Sequence, residues 1–291
     1  MESVLIIGAQ QFIGFHLCSH FLEEGYSVDG VFFEPSQPFY HKWVEEEMLW
    51  LGRNAQLSIW TKEDLMEKAD VSTYDSIYFC HYDPHDPEWP KDWAQERTVL
   101  ERVWNVLKEA ACPVFLLSSI NVFGLDQEKI TDEVKPRPST EKGDFYLQVE
   151  KWWTKHVVQS AKSVIVRIPT VFGPWQPPGQ WMTDEILKQF TNEPIPTIEK
   201  EPIRDLLYIE DVMEAIMELS RDVSNSSSIV HFVSNQFLKK LPDSVSFRIK
   251  PIDLQLKNRL VIDQKKEWQQ CYDEQRNFIQ RFNPYLENSN K

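Results

Sequence analysis

Ser3-Val-Leu-Ile-Ile-Gly8-Ala-Gln-Gln-Phe-Ile-Gly14 is the stretch that decides the fold. A short apolar run without polar alternation enters Gly8, and helical periodicity follows over residues 13–24. Gly25 then stands where a helix C-cap would. Residues 28–33 read as the next strand. Strand, glycine turn, helix and strand in that order form the opening unit of a parallel sheet. Gly8 permits the tight turn, and Gly14 lets helix and strand approach closely. The start of that helix, Phe12 and Ile13, offers unpaired N–H groups to a phosphate.

Moving outward, the same rhythm repeats. Strands are predicted at 76–80, 114–117 and 163–167, and helices at 93–111 and 145–159. These strands lack polar alternation, as strands covered on both faces do. The rhythm breaks after Gly173, where Pro174, Pro177, Pro178 and Gly179 crowd into an irregular loop. Beyond it, helices are predicted at 183–190, 211–220 and 265–282, with a short strand at 229–233. The expectation is an α/β chain: a doubly wound parallel sheet over 1–173 and a smaller lobe over 174–291, with the chain free to cross between them.

Composition narrows the function classes. The chain has 291 residues, and 42% apolar with 26% charged residues is ordinary for a folded protein. Its formal net charge of −14 disfavours nucleic acid and anionic lipid surfaces as partners, because both are polyanions. The longest apolar runs are too short to span a bilayer, and no secretory leader pattern opens the chain. Four scattered cysteines without a CxxC pair fit reduced thiols in a cytoplasmic protein. His81-Tyr-Asp-Pro-His-Asp86 gathers two His and two Asp, but it reads as a polar loop rather than a metal site. Glu45-Glu-Glu47 reads as a solvated helix face.

Four further segments carry a specific resemblance. Ser118-Ser-Ile-Asn-Val-Phe-Gly124 is similar to SSxxVYG, and Tyr146 opens a counterpart of YxxxK. Arg167-Ile-Pro-Thr-Val-Phe-Gly-Pro174 is similar to RxxNVYGP, and Arg204-Asp-Leu-Leu-Tyr-Ile-Glu-Asp-Val212 to RDfvyVdDv. With the glycine loop they follow the order of the extended short-chain dehydrogenases, in the epimerase/dehydratase branch that acts on nucleotide-linked sugars. The resemblance implies a Rossmann-like doubly wound parallel sheet with a smaller C-terminal substrate lobe. It implies NAD or NADP as cofactor, a nucleotide or nucleotide sugar as ligand, and a homodimer through paired helices that include 145–159.

The same resemblance assigns roles. Tyr146 would be the acid/base and Ser119 its hydrogen-bonding partner. Gly8, Gln11, Phe12, Ile13, Gly14 and Lys151 would border the cofactor, with Glu34 at the adenosine ribose or in a solvated loop. Thr170 and Arg204 would face the substrate; alternatively, Arg204 pairs structurally with Asp205. Two positions depart from the pattern. Gln11 replaces the middle glycine of GxxGxxG, where a side chain either bonds the phosphate or blocks it. Glu150 replaces the Lys of YxxxK. A phenol titrates near ~10, and a cation lowers that value where a carboxylate raises it. Lys151 is displaced by about 100° around the helix and reaches the Lys position only through a π-bulge. Three readings follow: a nucleotide-sugar enzyme with weak catalysis, an enzyme of altered chemistry, or a non-catalytic binder of a nucleotide or partner.

Overall fold

Along Ser3–Ile7 (β1), Val4 and Ile6 pack into one hydrophobic cluster while Leu5 and Ile7 pack into another on the opposite face. All four are fully buried, which explains the absence of polar alternation. The computed structural model describes residues 2–36, 38–68, 70–86, 89–90, 92–157, 162–190, 202–221, 228–235 and 249–282. After β1 come α1 (Phe12–Glu23), β2 (Ser27–Val31), α2 (Pro38–Leu51), β3 (Leu57–Trp60), α3 (Lys62–Lys68) and β4 (Ser76–Phe79). Next are α4 (Trp93–Leu107), β5 (Val114–Ser119), β6 (Lys129–Thr131), α5 (Glu141–His156), β7 (Ser163–Ile168) and β8 (Thr170–Phe172). The chain continues through α6 (Trp181–Leu187), β9 (Leu206–Tyr208), α7 (Ile209–Arg221), β10 (Ser228–Ser234), β11 (Asp253–Gln255), β12 (Arg259–Ile262) and α8 (Trp268–Phe282).

Eight parallel strands form one sheet in the order β12-β10-β7-β5-β4-β1-β2-β3. Strand order reverses between β1 and β4, so the crevice at their carboxyl ends is where ligands bind in sheets of this kind. Two parallel pairs, β6 with β11 and β8 with β9, lie outside the main sheet. The sheet takes chain from both sides of residue 173, because β10 and β12 extend it beyond β7. This is the crossing that the sequence leaves open.

The glycine turn has the predicted form. Gly8 has φ +90°, and a Cβ on it would lie 2.6 Å from the backbone nitrogen of His81. A Cβ on Gly14 would lie 2.1 Å from the Gly8 carbonyl oxygen, so helix and strand touch there. Helix α5 begins four residues earlier than predicted because the Thr140 hydroxyl caps it, accepting from the Gly143 N–H at 3.0 Å. The final residues of that predicted helix, 158 and 159, lie outside the described residues. One surface expectation is corrected: Glu45 and Glu46 are exposed, but Glu47 is buried against Trp43.

Candidate functional site

At the N-terminus of α1 the expected phosphate position already holds an anion. The Ile13 N–H donates to Asp83 Oδ2 at 2.6 Å, across 70 residues of chain. Gln11 precedes the helix in extended backbone and gives it no side-chain cap. Asp83 supplies one instead, at the positive end of the helix dipole, and it is fully buried there.

Several contacts hold the Asp83 loop down. Asp83 Oδ1 accepts from the His85 N–H at 2.7 Å and lies 2.8 Å from His85 Nδ1. His85 Nε2 accepts from the Val171 N–H at 2.7 Å, so the ring hydrogen sits on Nδ1 and points at Asp83. This Asp–His pair therefore resembles a catalytic dyad whose outer nitrogen is already engaged by backbone. Gln11 Nε2 donates to Asp86 Oδ2 at 2.7 Å, and Lys142 Nζ donates to the Pro84 carbonyl at 2.7 Å. Gln180 Nε2 donates to the His85 carbonyl at 2.8 Å. Among the described residues no group of three or more His, Cys, Asp or Glu is arranged to hold a metal ion.

Tyr146 is buried, and its hydroxyl donates to the Asp83 carbonyl at 3.2 Å. Glu150, one turn on, is also buried, but it is not a lone charge. Its carboxylate accepts from Arg167 Nε at 2.9 Å, Arg167 Nη2 at 2.6 Å and Ser118 Oγ at 2.6 Å. The two-pronged contact is the strong geometry for this pair, and it neutralises the carboxylate. The concern that Glu150 acts on Tyr146 as an isolated negative charge therefore loses its premise. Helix α5 is α-helical throughout, without a bulge, and Lys151 is exposed. The cation on Tyr146's own face is Lys142, one turn before it, and that ammonium is bonded to the Asp83 loop.

Two cavities flank the Asp83 loop. One, of about 120 Å³, lies at the carboxyl ends of β5 and β7 and brings together Ser119, Thr170, Asn121, Lys142, Gln180 and Trp181. Ser119 Oγ accepts from the Asn121 N–H at 3.1 Å. The other, of about 360 Å³, lies between the glycine loop and α2, with Gln11, Phe12 and Glu34 in its wall. Arg204 is buried and committed elsewhere: its guanidinium donates to the carbonyls of Phe123, Gly124 and Gln127 at 3.2, 2.9 and 2.7 Å. Asp205 accepts from the N–H groups of Leu206 and Ser234. The two side chains thus serve separate partners.

The residues that sequence reasoning missed are Asp83, Arg167, Lys142 and Glu47. The first lies in the polar loop already noticed between residues 81 and 86. The second opens the RxxNVYGP-like segment. Nothing local in the sequence links either to its partner.

A doubly wound sheet with a glycine turn at the strand-order reversal defines a Rossmann-like nucleotide-binding fold. Residues 4–232 match the NAD dependent epimerase/dehydratase family, and the chain belongs to it. In solved structures the fold is similar to UDP-glucuronic acid 4-epimerase from Bacillus cereus in complex with NAD. That match has a TM-score of 0.70 and 19% identity, and covers 96% of this chain and 98% of the other. It is also similar to dTDP-glucose 4,6-dehydratase from Bacillus anthracis in complex with NAD, at TM-score 0.66 and 13% identity, covering 99% of both chains. An uncharacterized protein of Bacillus subtilis, YjaV, is 29% identical over 125 residues. This match covers 38% of the present chain and spans 66% of that relative's length. No helix among the described residues is long and apolar enough to cross a membrane.

Proposed function

We propose that this chain is a binding member of the epimerase/dehydratase family that does not carry out transient oxidation of a sugar. The observation that carries this reading is the Asp83 carboxylate on the Ile13 N–H. A dinucleotide diphosphate would need the same donors, and it would meet a buried negative charge where it needs a positive one. The His81 backbone also packs against Gly8. The family is an NAD-dependent one and its solved neighbours are NAD complexes; in this reading the Asp83 contact sets this chain apart from them. Tyr146 supports the same reading, since its hydroxyl is spent on a backbone carbonyl and its neighbour at the Lys position is an ion-paired Glu150.

The ligand in this reading is the glycosyl part of a nucleotide-linked sugar, held in the cavity of Ser119 and Thr170. Hydroxyl and amide groups there, with Trp181 beside them, suit a hydroxyl-rich ring. The chain pairs as a homodimer through α5, whose outer residues Lys151, Thr154 and Lys155 are exposed. A cytoplasmic setting fits its four free, buried cysteines.

Calorimetric titration with NAD, NADH, NADP and a UDP-sugar tests the proposal. The expected result is no dinucleotide uptake by the wild-type chain, with measurable uptake by Asp83→Asn, which removes the competing charge. Tight NAD binding by the wild type, with sugar conversion that Tyr146→Phe abolishes, would overturn it.

A further inference from the structure

We propose that the cavity between the glycine loop and α2 binds a compact arylalkyl-ammonium, an aromatic body carrying one charged amine. This inference rests on the Asp83 loop arrangement from which the proposed function is also argued, because Gln11 and Asp86, which wall the cavity, are bonded to each other in it.

The deciding group is Glu47. It lies in the cavity wall with 1% of its surface exposed, and its Oε2 has no hydrogen-bond partner among the described residues. Its other oxygen accepts from Trp43 Nε1 at 3.0 Å. An unpaired carboxyl oxygen in so dry a place is costly, and an ammonium N–H supplies the missing donor. Burial raises the Glu47 pKa well above the ordinary glutamate value, which an arriving cation would reverse.

The rest of the wall has the same preference. Glu34, Asp86 and Glu96 add three carboxylates from three other segments, and no Lys or Arg stands among the described lining residues. Lys62 acts on Glu96 from outside the wall, and burial raises the pKa of Glu96 as it does that of Glu47. His81 does not offset this, since burial lowers its pKa to about 4. Phe12, Phe33, Tyr40 and Trp43 supply aromatic surface, which suits both the ligand's ring and its cation. A nucleotide phosphate in the same space would meet carboxyl groups and, among the described lining residues, no Lys or Arg. The protein's net charge of −14 favours arrival of cations in the same sense.

The experiment titrates the full-length protein by calorimetry with 2-phenylethylamine, 2-phenylethanol and phenylacetate at one ionic strength, and with NAD on the same preparation. The amine should bind at least about tenfold more tightly than the alcohol, and phenylacetate should give no saturable heat. Glu47→Gln keeps an acceptor for Trp43 and should weaken the amine about tenfold while leaving the alcohol unchanged. No amine binding, equal binding of amine and alcohol, preferred binding of the anion, or indifference to Glu47→Gln would each overturn the proposal. NAD uptake without amine uptake would remove both this inference and the proposed function. Silence toward both ligands would remove this inference alone.

Discussion

Arg167→Met tests whether the ion pair beneath the site is a structural necessity. It deletes the guanidinium and leaves the Glu150 carboxylate, 3% exposed, with the Ser118 hydroxyl still donating to it. Both charged side chains are almost fully enclosed, so solvent screening does little to soften the loss. Breaking a pair of this kind costs about 3–5 kcal/mol, mostly the penalty of an uncompensated buried charge. At roughly 2–4 °C per kcal/mol, Tm should fall by roughly 6–20 °C. Glu150→Met alone strands the arginine and should cost a similar amount. The double variant removes both charges and should lie within about 2 kcal/mol of wild type. Thermal and urea unfolding of the four proteins close a double-mutant cycle. Additive losses, or a single-variant cost below about 1 kcal/mol, would refute the reasoning. The cycle also bears on function: Glu150→Lys would set an ammonium against Arg167, so it should destabilise the chain and restore no dehydrogenase chemistry.

Glu47→Gln should raise Tm at alkaline pH. Burial raises the folded-state pKa of this group, so its stabilising contribution is complete below the unfolded value near 4.5 and is lost as pH rises toward the folded value. The advantage of the variant should therefore grow by up to about 1.4 kcal/mol per pH unit above that point and vanish near pH 4; a constant offset from pH 4 to 8 would count against it. Arg204→Ala should leave the carbonyls of Phe123, Gly124 and Gln127 without their donor. A loss of about 2–4 kcal/mol is expected, with faster amide exchange over residues 123–127; an unchanged Tm with weakened ligand binding would return Arg204 to a substrate role.

How much of this was legible in the sequence depended on the range of the interaction. The β–α rhythm was visible because strands covered on both faces are continuous apolar runs, as Val4–Ile7 are. Gly8 and Gly14 were legible because a tight turn and a close helix–strand contact leave few alternatives at those positions. Short edge elements such as β3, with its exposed Ile59, and the pairs outside the main sheet gave no comparable signal. In the site, the Glu150 substitution was visible, but its consequence was not. Its partner Arg167 lies on β7, 17 residues away, and only the packing of α5 on the sheet joins them. Asp83 shows the same limit over 70 residues: a carboxylate in a polar loop is unremarkable until the fold brings it to a helix terminus. Glu47 differs from Glu45 and Glu46 only in the face of α2 on which it falls.

The position of β10 and β12 outside β7 bears on how the chain is made. Ser163–Ile168 is buried along its whole length, and among the described residues one of its two edges pairs with residues 228–231. During synthesis that apolar ribbon therefore waits, half-dressed, for some sixty residues to emerge from the ribosome. A nascent chain stalled in that interval presents a sticky parallel edge to its neighbours. Truncation before β10 should accordingly yield aggregates rather than a smaller working unit.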